Sequence, residues 1–201
     1  MRRLIVLIVL LFTGTAHATP TLVDDVLAHL STHQAVRADF TQTRDNPALA
    51  APQVSHGELL FAVGHGMFWH TREPYDDTLV FTAGGTSRVD AQGHAQRVRD
   101  VNRGIGQVTA MLQGLLAGRS DEAARQFDIA ADGDLAHWTL RFTPRQSRMA
   151  RVLKDIALKG GEFLDGIEVD MANGETTRLD FSNTRDAGTP SAVEAKLLGI
   201  P

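Results

Sequence analysis

His29 and His33 stand four residues apart in "VDDVLAHLSTH", a spacing that puts two imidazoles on one face of a helix, where they could share a metal ion. Zinc needs a third ligand and usually a fourth, and no glutamate lies between the pair as in His-Glu-x-x-His, so they read as two polar residues near a helix end. Asp128, Asp132 and Asp134 approach the spacing of a calcium loop, but no glutamate follows where the bidentate ligand belongs, and a hairpin turn at Asp132-Gly133-Asp134 accounts for them. Nucleophilic catalysis finds no cysteine, no Gly-x-Ser-x-Gly elbow and no Ser-x-x-Lys pair. Gly64-His65-Gly66 lacks the third glycine and the following helix that would cradle a phosphate. The expectation is a protein with no catalytic residues, no metal and no cofactor.

What the sequence supplies instead is apolar surface in regular patterns. Leu22, Val23, Val26, Leu27 and Leu30 recur at helical spacing, and Thr21 with Asp24 resembles a capping box. Next, "AVRADFTQTR" alternates Val36, Ala38, Phe40 and Gln42 against polar neighbours, the period of a half-buried strand. "GELLFAV" is apolar on both alternating faces, with Leu59, Phe61 and Val63 on one and Leu60 and Ala62 on the other, so it predicts a strand covered on both sides. "MFWHT" continues extended up to Pro74, and "DTLVFTAGG" with "TSRVDAQ" predicts a hairpin at Gly84-Gly85.

A second helix is expected from Gly104 to Gly118, carrying Ile105, Val108, Met111, Leu112, Leu115 and Leu116 as a broad stripe. Its glycines weaken it by about 1 kcal/mol each in a helix interior. Later runs read as strands, with Asn173-Gly174 as a hairpin signal, and "SAVEAKLL" after Pro190 as a short terminal helix. Nine or more strands and two main helices in one domain give the class α+β. A strongly curved antiparallel sheet, an incomplete β-barrel closed by helices over an apolar cavity, would use all of them.

Arg2 and Arg3, the apolar run Leu4 to Phe12 and Ala16-His17-Ala18 predict a signal peptide over 1–18, cleaved before Thr19, with a single domain over 19–201. Nine apolar residues are too few to span a bilayer. Export without cysteine rules out structural disulfides and leaves the periplasm as the expected location. The formal charge of −4 becomes −6 without the two leader arginines, and with no Lys/Arg run nucleic acid is not an expected partner.

"FTQTR" (Phe40 to Arg44), "SHGELLF" (Ser55 to Phe61), "MFWHTREP" (Met67 to Pro74) and "LVFTAGG" (Leu79 to Gly85), in that order, resemble the periplasmic outer-membrane lipoprotein carriers of the LolA-like family. The match is good over residues 22–85 and agrees beyond them in kind. The resemblance implies a monomeric soluble carrier whose cavity shields acylated cargo, a lipoprotein or a lipid-linked small molecule, between an inner-membrane exporter and an outer-membrane acceptor. Phe61, Phe68, Trp69, Leu79, Phe81, Ile105, Leu112 and Leu115 are the expected lining residues. Phe68 cannot share a strand face with both neighbours, so part of that aromatic cluster must pack under a helix. The family carries Arg-Pro after its Gly-Glu-Leu strand, tied to latching the helical lid, whereas Val63-Gly64 stands here. That departure points to a divergent member. The alternative is a non-carrying periplasmic module serving an envelope export or assembly system.

Overall fold

The computed structural model describes residues 21–98, 103–117 and 119–200; the expected leader and its cleavage point lie outside them. Thr21 caps α1 (Leu22–Leu30): its hydroxyl oxygen accepts from the Asp24 amide, and the Asp24 carboxylate accepts from the Thr21 amide at 3.1 Å. This is the expected capping box, and it satisfies donors that a helix start would otherwise leave open.

A meander of six strands follows: β1 (Ala35–Asp45), β2 (Gln53–Ala62), β3 (Gly66–Glu73), β4 (Asp77–Thr82), β5 (Gly85–Val89) and β6 (Ala95–Arg97). Two helices, α2 (Arg103–Leu116) and α3 (Ser120–Gln126), then lead to a second run, β7 (Phe127–Asp134), β8 (His137–Pro144), a single turn α4 (Ser147–Ala150), β9 (Leu153–Gly160), β10 (Leu164–Met171) and β11 (Thr176–Asp186). The chain closes with α5 (Ala192–Leu198).

All eleven strands form one open antiparallel sheet in the order β6-β5-β4-β3-β2-β1-β11-β10-β9-β8-β7. The two meanders are joined by β1 against β11, with Phe40 opposite Phe181 and Gln42 opposite Leu179. Because β6 and β7 are the two edges, the α2–α3 segment has to carry the chain from one edge of the sheet to the other. A single apolar core unites Trp69, Leu79 and Phe81 of one half with Trp138, Leu140, Phe142, Ile156 and Leu158 of the other, and with Val26, Leu27, Leu30, Val108, Leu112 and Leu115 of the two helices. The sheet therefore curves around α1 and α2, which pack on each other, α1 also meeting β7 and α2 meeting β3 and β4.

The double-faced strand β2 is covered on both sides, as its composition requires. Leu59 and Phe61 belong to the concave core, whereas Leu60 and Ala62 join Val80 and Leu198 in a smaller core under α5 on the convex face. Ser191 and Glu194 form the capping box of α5, so Pro190 sits just before the cap rather than at the first helical turn. Glu194 also accepts both guanidinium nitrogens of Arg37 at 2.7 Å, which fastens α5 to β1. Burial alone would raise the Glu194 carboxyl, but the Arg37 hydrogen bonds and those from Ser191 outweigh it and hold the pKa at about 2.

Gly57 on β2 lies opposite Phe40 on β1. A Cβ there would collide with the His70 carbonyl and the Phe40 ring, so the bare backbone lets Phe40 stack on Trp69, ring centroids 3.7 Å apart and 26° from parallel.

Candidate functional site

The concave core does not fill its space completely. In the middle of the sheet, where β1 lies between β2 and β11, a hollow of about 70 Å³ remains, almost wholly apolar. Strand alternation aims Val36 and Ala38 of β1, Leu59 and Phe61 of β2, and Phe181 of β11 into it. Leu30 of α1 and Leu116 of α2 roof it, and Phe163 of the β9–β10 turn with Leu164 at the start of β10 closes the far side. A second, more polar hollow of about 190 Å³ lies between α1 and the end of α2, lined by Leu27, Leu115 and Leu116 among others. Leu116 is common to both, so the last turn of α2 is the partition between them.

Two polar side chains line the apolar hollow, His33 and Thr184. His33 is held by Asp186, its Nδ1 2.8 Å from the carboxylate, and its ring tilts against Phe163 at 4.4 Å between centroids. His29, in the last turn of α1, meets His33 edge-on at 6.1 Å, but α1 ends at Leu30 and His33 lies beyond it, so the two do not share a helix face as their spacing predicts. Among the described residues no three His, Asp or Glu side chains converge on a point that could hold a metal.

The roof is tied down by one side chain that sequence reasoning missed. Gln113 of α2 reaches the β2–β3 turn, where its Nε2 donates to the carbonyls of Ala62 at 2.8 Å and Gly66 at 3.3 Å, and its Oε1 accepts from the Gly64 amide at 2.6 Å. Gly64 takes φ +79°, which turns its N–H out of the strand ladder and toward the helix. Gln113 is one of two glutamines on α2 and belongs to no motif, and its partners are backbone groups that no sequence pattern displays.

The expected lining residues separate into three groups. Phe61 lines the apolar hollow. Trp69, Leu79, Phe81, Leu112 and Leu115 face the same concave core; of these Leu115 lines the second hollow, and the others are core rather than wall. Phe68 is a correction: alternation along β3 puts it on the convex face, packed with Leu60, Val80 and Leu198 under α5. The side chain of Ile105 lies outside the described residues. Phe163, Leu164 and Phe181 carry no expectation of lining, whereas Val36 stands on the apolar alternating face that "AVRADFTQTR" predicts.

Among the described residues no helix is long and apolar enough to cross a membrane. Residues 15–197 match the family described as outer membrane lipoprotein carrier protein LolA-like. Over 172 residues the chain is 27% identical to the outer-membrane lipoprotein carrier protein of Alcanivorax borkumensis, an alignment covering 85% of this chain and 79% of that one. Among solved structures, a LolA superfamily protein from Nitrosomonas europaea aligns with 85% of this chain and 96% of its own at 12% identity and a TM-score of 0.48. MucB of Pseudomonas aeruginosa, in its complex with MucA, aligns with 86% of this chain and 59% of its own at 14% identity and a TM-score of 0.50, a likeness of fold. The chain belongs to the LolA-like outer membrane lipoprotein carrier family.

Proposed function

We propose that this protein is a periplasmic carrier that shields the acyl chains of a lipoprotein or lipid-linked molecule beneath α1 and α2, on the way from an inner-membrane exporter to an outer-membrane acceptor. The observation that carries the proposal is the apolar hollow under a roof fastened at the β2–β3 turn by Gln113. Burying an acyl chain yields about 0.8 kcal/mol per methylene, so a 16-carbon chain is worth on the order of 12 kcal/mol against exposure to water. That gain keeps the chain out of water in transit and needs no covalent step.

Ordinary ligand pockets span about 300–1,000 Å³, several times the 70 Å³ seen here. An acyl chain therefore fits only if the hollow widens. Loading requires the last turn of α2 to move, and withdrawing Leu116 joins the two hollows it now separates. The glycine-weakened α2 suits that motion, and the Gln113 clamp resists it until cargo supplies the free energy.

The small hollow is also what favours the second reading, a non-carrying module that binds an envelope partner through its surface. Displacement of a fluorescent fatty acid from the purified protein separates the two. The carrier reading expects saturable, one-to-one binding at micromolar concentration, reduced at least tenfold in Leu116→Glu. Absence of binding at that concentration leaves the module reading standing.

A further inference from the structure

The hollow has a chemical polarity that an ordinary core gap lacks. Its wall is apolar except at the side where the end of α1 meets the end of β11, and there stand His33 and Thr184. The His33 side chain is only 15% exposed, whereas its partner Asp186 is 68% exposed, so the ring bridges from the solvent rim into the apolar wall. A carboxylate only accepts hydrogen bonds, so the 2.8 Å contact fixes the proton of neutral His33 on Nδ1. The other nitrogen, Nε2, lies on the opposite edge of the ring, turned away from Asp186, and in this tautomer it is a hydrogen-bond acceptor. The tilted contact with Phe163 holds the ring in that pose.

We propose that His33 recognises the head of the bound amphiphile: with the chain in the hollow, Nε2 accepts a hydrogen bond from a donor at the head, an amide N–H or a hydroxyl. Asp186 acts through His33 as a positioning residue that sets the tautomer. This inference rests on the carrier reading and adds to it the class of cargo, acyl chains joined through a donor-bearing linkage rather than a simple ester.

Isothermal titration of the purified protein with dodecanamide, dodecan-1-ol and methyl dodecanoate tests it, since the three share a chain and only the ester lacks a donor. One net hydrogen bond contributes about 0.5–1.5 kcal/mol, so the amide or the alcohol is expected to bind roughly three- to tenfold more tightly than the ester; which of them gains more tells amide-linked from hydroxylated cargo. In His33→Phe the preference is expected to vanish. Asp186→Ala, which frees the tautomer and removes only an exposed group, is expected to reduce the preference and serves the same purpose if His33→Phe does not fold. Equal affinities for all three ligands in the wild type overturn the inference and leave the carrier reading intact, as does a preference unchanged in both variants. No binding of any of the three overturns the carrier reading and this inference with it.

Discussion

The side-chain oxygen of Gln113 accepts a hydrogen bond from the backbone amide of Gly64 at 2.6 Å, and its amide group donates to the carbonyl of Ala62 at 2.8 Å. A roof helix is thereby joined to a strand turn by one side chain acting as donor and acceptor together. The fastening side chain comes from the helix, and the turn contributes only backbone groups of Ala62, Gly64 and Gly66. Gln113→Ala is expected to cost about 1–3 kcal/mol, the net worth of two or three hydrogen bonds, seen as a lower thermal midpoint. The same variant is expected to take up a fluorescent fatty acid faster than the wild type in stopped flow. Unchanged uptake would mean that the clamp is structural and that entry lies elsewhere.

Gly57 tests the aromatic support of the site. Gly57→Ala drives a methyl group toward the His70 carbonyl and the Phe40 ring. Overpacking of this kind costs about 1–3 kcal/mol, and it must disturb the Phe40–Trp69 stack. Near-ultraviolet circular dichroism is expected to lose intensity in the tryptophan region, alongside a lower midpoint in urea.

Phe68 and its strand neighbours offer a test of facing. Phe68 packs under α5 on the convex side, so Phe68→Ala is expected to lower stability by about 2 kcal/mol, less than the 3–5 kcal/mol of a fully buried phenylalanine. Fatty-acid affinity is expected to stay within twofold. A loss of binding with unchanged stability would put Phe68 back on the cavity wall.

The Arg37–Glu194 pair makes acid stability a readout of α5. The Glu194 carboxyl is held at about 2, against 4.5 for the free group. A depressed folded-state pKa means that the unfolded chain takes up the proton first, so the pair's contribution is complete above pH 4.5 and disappears as the pH falls toward 2. Glu194→Gln is expected to be less stable than the wild type at pH 7, with the difference shrinking steadily between pH 4.5 and 2. Parallel stability curves across that window would contradict the assignment.

Periodicity carried much of this architecture. Leu59 to Ala62 could only be a strand covered on both faces, and the structure supplies α2 on one side and α5 on the other. The stripe Val108, Leu112 and Leu115 likewise required a helix buried on one side. Alternation left open which face of β3 turned inward, because Phe68 and Trp69 are equally apolar and only the landing place of α5 decides between them. The helices α3 and α4 had little pattern to announce them, one being the polar run "SDEAARQ" and the other a single turn. The wall residues Phe163 and Leu164 come from the β9–β10 turn and the first position of β10, and their meeting with Val36 and Phe181 depends on β1 pairing with β11 across the whole length of the chain.

The central claim, that an acyl chain is held beneath α1 and α2, is tested most directly by native mass spectrometry of the protein incubated with a 16-carbon fatty acid. The account predicts one added ligand per protein at micromolar concentration, lost in Leu116→Glu, which places a carboxylate in the wall shared by both hollows. Protein that stays ligand-free across the micromolar range, or a ligand retained equally by Leu116→Glu, would contradict it.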